Sequence, residues 1–165
     1  MAIPVFSIIG WSGAGKTTFL EKLIALLKAR GLRLAVIKEV PRPFQADTEG
    51  KDSYRFSKAG ADRVVIANPQ TVVQYFNRPM TVADIVATID DADLILTEGH
   101  HHFGYPQLEI YRKAVNDGLR CPCIENLVGV ITDDELPLQK NVRRFHFDEV
   151  EQVADFLLTY SPEET

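Results

Sequence analysis

An apolar run, Val5 to Ile9, opens the chain and suits a strand buried on both faces. The period then changes. Between Thr17 and Arg30, residues Phe19, Leu20, Leu23, Ile24 and Leu27 fall on one helical face, with Lys22, Lys28 and Arg30 turned away. Gly31 suits the left-handed cap that ends such a helix. Leu34 to Ile37 reads as a second buried strand. Strand, helix and strand in this order predict a βαβ unit and a parallel sheet.

Further along, Pro41 and Pro43 mark a loop that runs to about Lys51. Asp52 is the expected cap of a short helix, Ser53 to Lys58, ended by Gly60. Arg63 to Ala67 and Thr71 to Phe76 read as strands around an Asn68-Pro69 turn. Thr81 caps a helix in which Val82, Ile85, Val86 and Ile89 keep helical spacing. Leu94 to Thr97, Leu108 to Tyr111, Val128 to Thr132 and Phe145 to Phe147 are expected strands. Asp148 is the expected cap of a last helix, with Val150, Val153, Ala154 and Leu157 on its inner face. Pro162 to Thr165 reads as a frayed tail.

Three glycines interrupt this pattern between the first strand and the first helix. Gly10-Trp-Ser-Gly-Ala-Gly15-Lys16-Thr17 matches the phosphate-binding pattern G-x-x-x-x-G-K-[ST] at every fixed position. Phosphate oxygens must be met by several inward-pointing backbone N–H groups, and side chains would block that approach. The helix that follows aims its unpaired N–H groups and positive dipole end at the same anion. The candidate nucleotide site is therefore Trp11, Ser12, Gly13, Ala14, Gly15, Lys16, Thr17 and Thr18. Lys16 reaches the β- and γ-phosphates, the Thr17 hydroxyl ligates Mg²⁺, and Thr18 bonds the α-phosphate. The Trp11 ring packs on a loop neighbour or on a partner, and the sequence leaves both open. The expected fold is α/β: a P-loop NTPase in three α/β/α layers, with a mostly parallel sheet and a small β extension, as a single domain over residues 1–165.

A magnesium triphosphate site needs a carboxylate at a neighbouring strand end. In Asp90-Asp-Ala-Asp93-Leu-Ile-Leu-Thr-Glu98-Gly99, Glu98 stands at the carboxyl end of its strand, where ligands bind in parallel sheets. Glu98 is the expected metal-side or water-orienting group, catalytic together with Lys16, and Gly99 permits close approach. Asp90, Asp91 and Asp93 read as a solvated loop. Lys38, Glu39, Asp47, Lys51 and Asp52 either close over the terminal phosphate or are surface charges. Asp133, ending Val130-Ile131-Thr132, reads a guanine edge or belongs to an acidic turn; the Asn-Lys-x-Asp motif is absent. His100, His101 and His102 read as loop residues near the phosphates, since consecutive extended residues alternate faces. Cys121 and Cys123 fit no usual zinc spacing.

Composition narrows the partners. The net charge is −5 over 165 residues, without the basic stripe of a nucleic-acid binder. Two cysteines make no disulfide framework, which fits a reducing cytoplasm. No basic leader opens the chain and no apolar run reaches ~18 residues, so neither a signal peptide nor a membrane span is expected.

Five stretches, GWSGAGKTTFLEKLI, LAVIK, EGKDSYRFSKAGA, DLILTEGH and PQLEIYR, resemble in order those of MobB, the molybdopterin-guanine dinucleotide biosynthesis adaptor family. The resemblance spans most of residues 3–133. It implies a GTP-binding protein that uses Mg²⁺, hydrolyses GTP weakly, forms a homodimer, and assists a molybdopterin guanylyltransferase-type enzyme in molybdenum cofactor synthesis. It places Gly13, Gly15, Lys16, Thr17 and Thr18 on the phosphates and Mg²⁺, and Glu98 at the strand end. Asp52 and Arg112 match retained positions without a specified role. The chain departs from the pattern at Glu39-Val40-Pro41 and at His100 and His101. Two other readings stay open: a small-molecule kinase or ATP-dependent ligase, although Arg42, Arg55, Arg63 and Arg78 are scattered, and a metal-delivery GTPase using His100–His102 with Cys121 and Cys123.

Overall fold

A computed structural model of the protein describes residues 2–45, 47–99, 104–120 and 124–161. In chain order the elements are β1 (Val5–Ile9), α1 (Lys16–Ala29), β2 (Leu34–Lys38), α2 (Asp52–Lys58), β3 (Arg63–Ala67), β4 (Val72–Phe76), α3 (Val82–Val86), β5 (Leu94–Glu98), β6 (Gln107–Ile110), β7 (Leu127–Ile131), β8 (Arg143–Phe145) and α4 (Val150–Thr159), with a 3₁₀ turn at Ile124–Asn126. They divide into two compact units, Met1–Glu39 with Ile89–Thr165, and Val40–Thr88.

The first unit is built on a six-stranded sheet of order β2-β5-β1-β6-β7-β8. Every neighbouring pair in it is parallel. Such a sheet buries both faces, which explains why its strands read as apolar runs rather than alternating ones. On one face Phe6, Ile8, Leu96 and Leu108 pack against Phe19, Leu23 and Leu27 of α1 and Val153, Ala154 and Leu157 of α4. The helical spacing of α1 is thereby realised as a buried stripe, and Gly31 ends the helix at φ 85° as expected. The other face carries Ile9, Tyr111, Leu127, Val130 and Val142. Ser7, the polar residue inside β1, is fully buried there, where its hydroxyl accepts from Thr97 Oγ1 at 3.0 Å. β1 is central, flanked by β5 and β6, so the chain turns to opposite sides at its carboxyl end. That is the switch point at which open α/β sheets bind ligands.

The second unit carries the antiparallel β3–β4 ribbon. Its turn is closed by Asn68, whose Oδ1 accepts from the N–H groups of Gln70 and Thr71 at 2.8 and 2.7 Å. Thr81 caps α3 as expected, in a reciprocal box with Asp84. Several expected boundaries shift, among them the end of α3, which stops at Val86 short of Ile89, and the three that follow. Lys51, not Asp52, precedes α2, which begins at Asp52. Glu149, not Asp148, precedes α4, and its carboxylate accepts from the His146 N–H at 2.7 Å. β8 stops at Phe145 because the Phe147 N–H turns to Asp133 Oδ1 at 3.2 Å.

Asp93 is more than a solvated loop residue. Its carboxylate accepts from Arg33 Nη2 at 2.7 Å, from Arg33 Nε at 3.2 Å and from the Arg33 N–H at 2.7 Å, fastening the turn before β2 to the start of β5. These bonds hold its carboxyl at about 2, below the usual value of 3.8. A depressed folded-state value contributes stability above pH ~4, lost as pH falls towards 2. Acid unfolding of Asp93→Asn is therefore expected to lack this component, and the effect should shrink in high salt because the pair is exposed. Denaturant midpoints at pH 3 and 7 check it. Among the described residues no helix is long and apolar enough to cross a membrane.

Candidate functional site

The carboxyl ends of the first unit's strands supply the site. After β1 the backbone turns at Gly10, and Gly13 and Gly15 take left-handed φ values of 82° and 101°. The turn is drawn in by Ala14 N–H donating to the Trp11 carbonyl at 3.2 Å, and Ala14, like Gly10, is buried. Gly15 precedes α1 with no side-chain cap, and no acidic residue sits in the first turn. The leading N–H groups and the positive helix end are thus left for an anion. Ser12, Gly13, Thr17 and Thr18 are exposed around this cup.

Two strand ends complete one side. Glu98 closes β5, and its Oε1 accepts from the Thr17 hydroxyl at 3.2 Å. Its Oε2 meets Lys38 Nζ, at the end of β2, at 3.0 Å, and the Glu98 side chain is 12% exposed. The register of the sheet sets this: Lys38 and Glu98 are direct partners in the β2–β5 ladder. Gly99 permits the approach, since a Cβ there would lie 2.7 Å from the Glu39 Cβ. Lys16 Nζ donates to the Trp11 carbonyl at 2.9 Å. Burial lowers its pKa, Glu98 opposes the shift, and the charges of Arg120 and Lys38 add to it. Thr17 and Glu98 offer a hydroxyl and a carboxylate side by side, a hard oxygen donor set that fits Mg²⁺ beside the phosphate cup.

On the other side, Asp133 leaves β7 and Phe147 leaves β8. Asp133 Oδ1 lies 3.4 Å from His146 Nδ1 as well as on the Phe147 N–H. Asp133, His146, Phe147, Asp148, Glu149 and Gln152 line an open cleft of about 640 Å³. Arg112, just beyond β6, joins the two sides: Nε donates to the Ala14 carbonyl at 3.1 Å, and the guanidinium lies over the Phe147 ring, 3.8 Å from its centre. Trp11 packs on a loop neighbour, with its indole N–H on the Gly118 carbonyl at 3.3 Å and the Arg120 guanidinium 5.2 Å from its ring.

The comparisons with known proteins agree with one another. The family model described as MobB, molybdopterin guanine dinucleotide synthesis protein B, matches residues 5–133. The chain belongs to the MobB family. It is 34% identical over 159 residues to a molybdopterin-guanine dinucleotide biosynthesis adapter protein of Haemophilus influenzae, covering 94% of this chain and 88% of that one. It is 32% identical over 164 residues to the Escherichia coli protein of the same description, covering 96% and 93%. A crystal structure of molybdopterin-guanine biosynthesis protein B superposes with a TM-score of 0.68 at 27% identity, covering 94% of this chain and 98% of that one. Bacillus subtilis MobB gives 0.69 at 22% identity, covering 97% and 99%, a likeness of fold.

The MobB match ends at Asp133, so His146 and Phe147 of the cleft lie beyond it. The sequence pointed to Arg112 only through the family pattern, and gave no sign of Arg120 or Phe147. Asp47, Lys51 and Asp52 fall in the second unit, as do Arg42, Arg55, Arg63 and Arg78. His100, His101, His102, Cys121 and Cys123 lie outside the described residues.

Proposed function

We propose that this chain is a cytoplasmic GTP-binding accessory protein of molybdopterin guanine dinucleotide synthesis, with slow GTPase activity and Mg²⁺ as its metal. The observation that carries the reading is the uncapped α1 N-terminus with Lys16, Thr17 and Glu98 gathered at its mouth. Loop N–H groups and Lys16 bind the polyphosphate. Thr17 and Glu98 would hold Mg²⁺, which neutralises charge on the β- and γ-oxygens when bound. Lys38 fixes the orientation of Glu98 through Oε2. Asp133 accepts from the N1–H and N2–H₂ edge of guanine, an edge that adenine does not present in the same pattern. The cleft beside it gives the base room against Phe147. The names of the relatives support an adapter role in molybdopterin-guanine dinucleotide biosynthesis, and the partner in this reading is the enzyme that joins GMP to molybdopterin. The β3–β4 ribbon exposes Val65, Ile66, Val72 and Val73, an apolar stretch that supports a homodimer through this surface. Sedimentation velocity across a concentration range tests it, and a persistent monomer removes it.

Calorimetry with GTP and ATP, with and without Mg²⁺, tests the nucleotide reading. Magnesium-dependent preference for GTP is expected, and equal affinity for ATP would remove Asp133 as the base reader. Glu98→Gln keeps the side chain's shape and one acceptor oxygen, enough for Thr17 or Lys38 but not both, and removes the carboxylate charge. It is expected to lower hydrolysis by roughly tenfold or more while changing binding less. Equal turnover in single-turnover assays would take Glu98 out of the chemistry.

A further inference from the structure

Arg120 is a cation at the phosphate loop to which the preceding reading gives no task. It lies between β6 and β7 and is only partly exposed. Its Nη1 donates to the Gly10 carbonyl at 3.1 Å. Its backbone N–H donates to Oε1 of Glu109, a fully buried carboxylate on β6. Its guanidinium lies near the Trp11 ring, and that ring's own N–H reaches back to Gly118. Three contacts therefore tie the 118–120 segment to the first two residues of the loop, at the end away from Arg112 and Ala14.

The chain direction gives this end a meaning. With Thr18 at the α-phosphate and Lys16 at the β- and γ-phosphates, Gly10 and Trp11 stand at the terminal end of the polyphosphate. A guanidinium carries five N–H donors in a planar fork. Among the described residues the Arg120 fork meets one acceptor, the Gly10 carbonyl. The remaining donors, on a guanidinium held at the Gly10 carbonyl and beside Trp11, of a residue whose backbone N–H is fixed by Glu109, match phosphoryl oxygens and cost little further ordering.

We propose that Arg120 supplies, from within the chain, the arginine that meets the terminal phosphoryl group during hydrolysis, with Glu109 and Trp11 as its positioning residues. The proposal rests on the nucleotide reading above. In the step, a water oxygen bonds to the terminal phosphorus as the bond from that phosphorus to the bridging oxygen breaks. The electron pair leaves on the nucleoside diphosphate, and the water proton passes to the released phosphate. Charge accumulates on the bridging and equatorial oxygens between these events, and the free Arg120 donors act on it.

Wild type, Arg120→Ala and Arg120→Lys are to be titrated with magnesium GDP, alone and with aluminium fluoride, and followed in single-turnover GTP hydrolysis. Arg120→Ala is expected to weaken the fluoride complex and slow hydrolysis by roughly thirtyfold, the scale of an arginine acting within a GTPase chain. Affinity for GDP alone should hold. Arg120→Lys keeps the charge and the stem and should fall between, since it lacks the fork. Equal losses of GDP and of the fluoride complex would make Arg120 a clamp on Gly10 and overturn the proposal, as would variants that match wild type throughout. A wild type that binds no nucleotide overturns the functional reading itself, and this inference with it.

Discussion

Lys16→Ala is expected to abolish measurable magnesium-nucleotide binding while the protein stays folded. Among the described residues the Lys16 side chain makes one hydrogen bond, to the Trp11 carbonyl. Its loss costs on the order of 1 kcal/mol of stability. Part of that is offset, because burial of the ammonium lowers its pKa, a cost that the charge of Glu98 relieves only in part. Towards a triphosphate the balance is different. Each charge-assisted bond to phosphate contributes about 1.5–3 kcal/mol, so losing contacts to two phosphates lowers affinity by roughly a hundredfold or more. Calorimetry for binding and thermal melting for fold separate the two. Retained affinity in a folded Lys16→Ala protein would remove this loop as the nucleotide site.

Gly10→Ala is expected to damage the fold itself. Gly10 sits at φ 140°, where side chains are strained, and an added Cβ would lie 2.3 Å from the Ile110 carbonyl oxygen. That oxygen is main chain of a central sheet strand and cannot rotate away. β1 must part from β6, or the loop must rebuild. The strain alone is about 1–3 kcal/mol, and the clash adds to it, so a loss of roughly 3 kcal/mol or more is expected. Against a total of about 5–15 kcal/mol this is severe. Gly13→Ala is the control: it has a strained φ as well, but nothing within 4 Å of its Cβ. If urea midpoints of the two variants agree, the close approach at Gly10 does not matter.

The parallel sheet and the phosphate loop were legible for linked reasons. An apolar run, a glycine turn and a helical stripe follow one another in VFSIIGWSGAGKTTFLEKLI, and local spacing alone specifies them. Glu98 was legible because a strand has a polarity, which told Glu98 from Asp93. What escaped depends on pairings between distant segments. No local pattern says that Arg112 reaches Ala14, 98 residues away, or that Arg120 reaches Gly10, 110 residues away. The Asp93–Arg33 fastening was hidden for the same reason, so Asp93 read as one charge in an acidic run. The errors at Asp52 and Asp148 have a different origin. An Asp beside another polar residue offers two candidate caps, and short local bonds such as His146 N–H to Glu149 decide between them.

The all-parallel ladder also sets when the site comes into being. Neighbouring strands such as β2 and β5, or β1 and β6, are joined only after long detours of chain, so the closure entropy is spent before the contacts return it. Lys38 and Glu98 become neighbours in the same event that zips β2 onto β5. A nascent or half-folded chain therefore owns the glycine turn but not the carboxylate proposed to hold the metal, and a nucleotide bound there would select only the finished molecule. Ligand should slow unfolding far more than it hastens refolding.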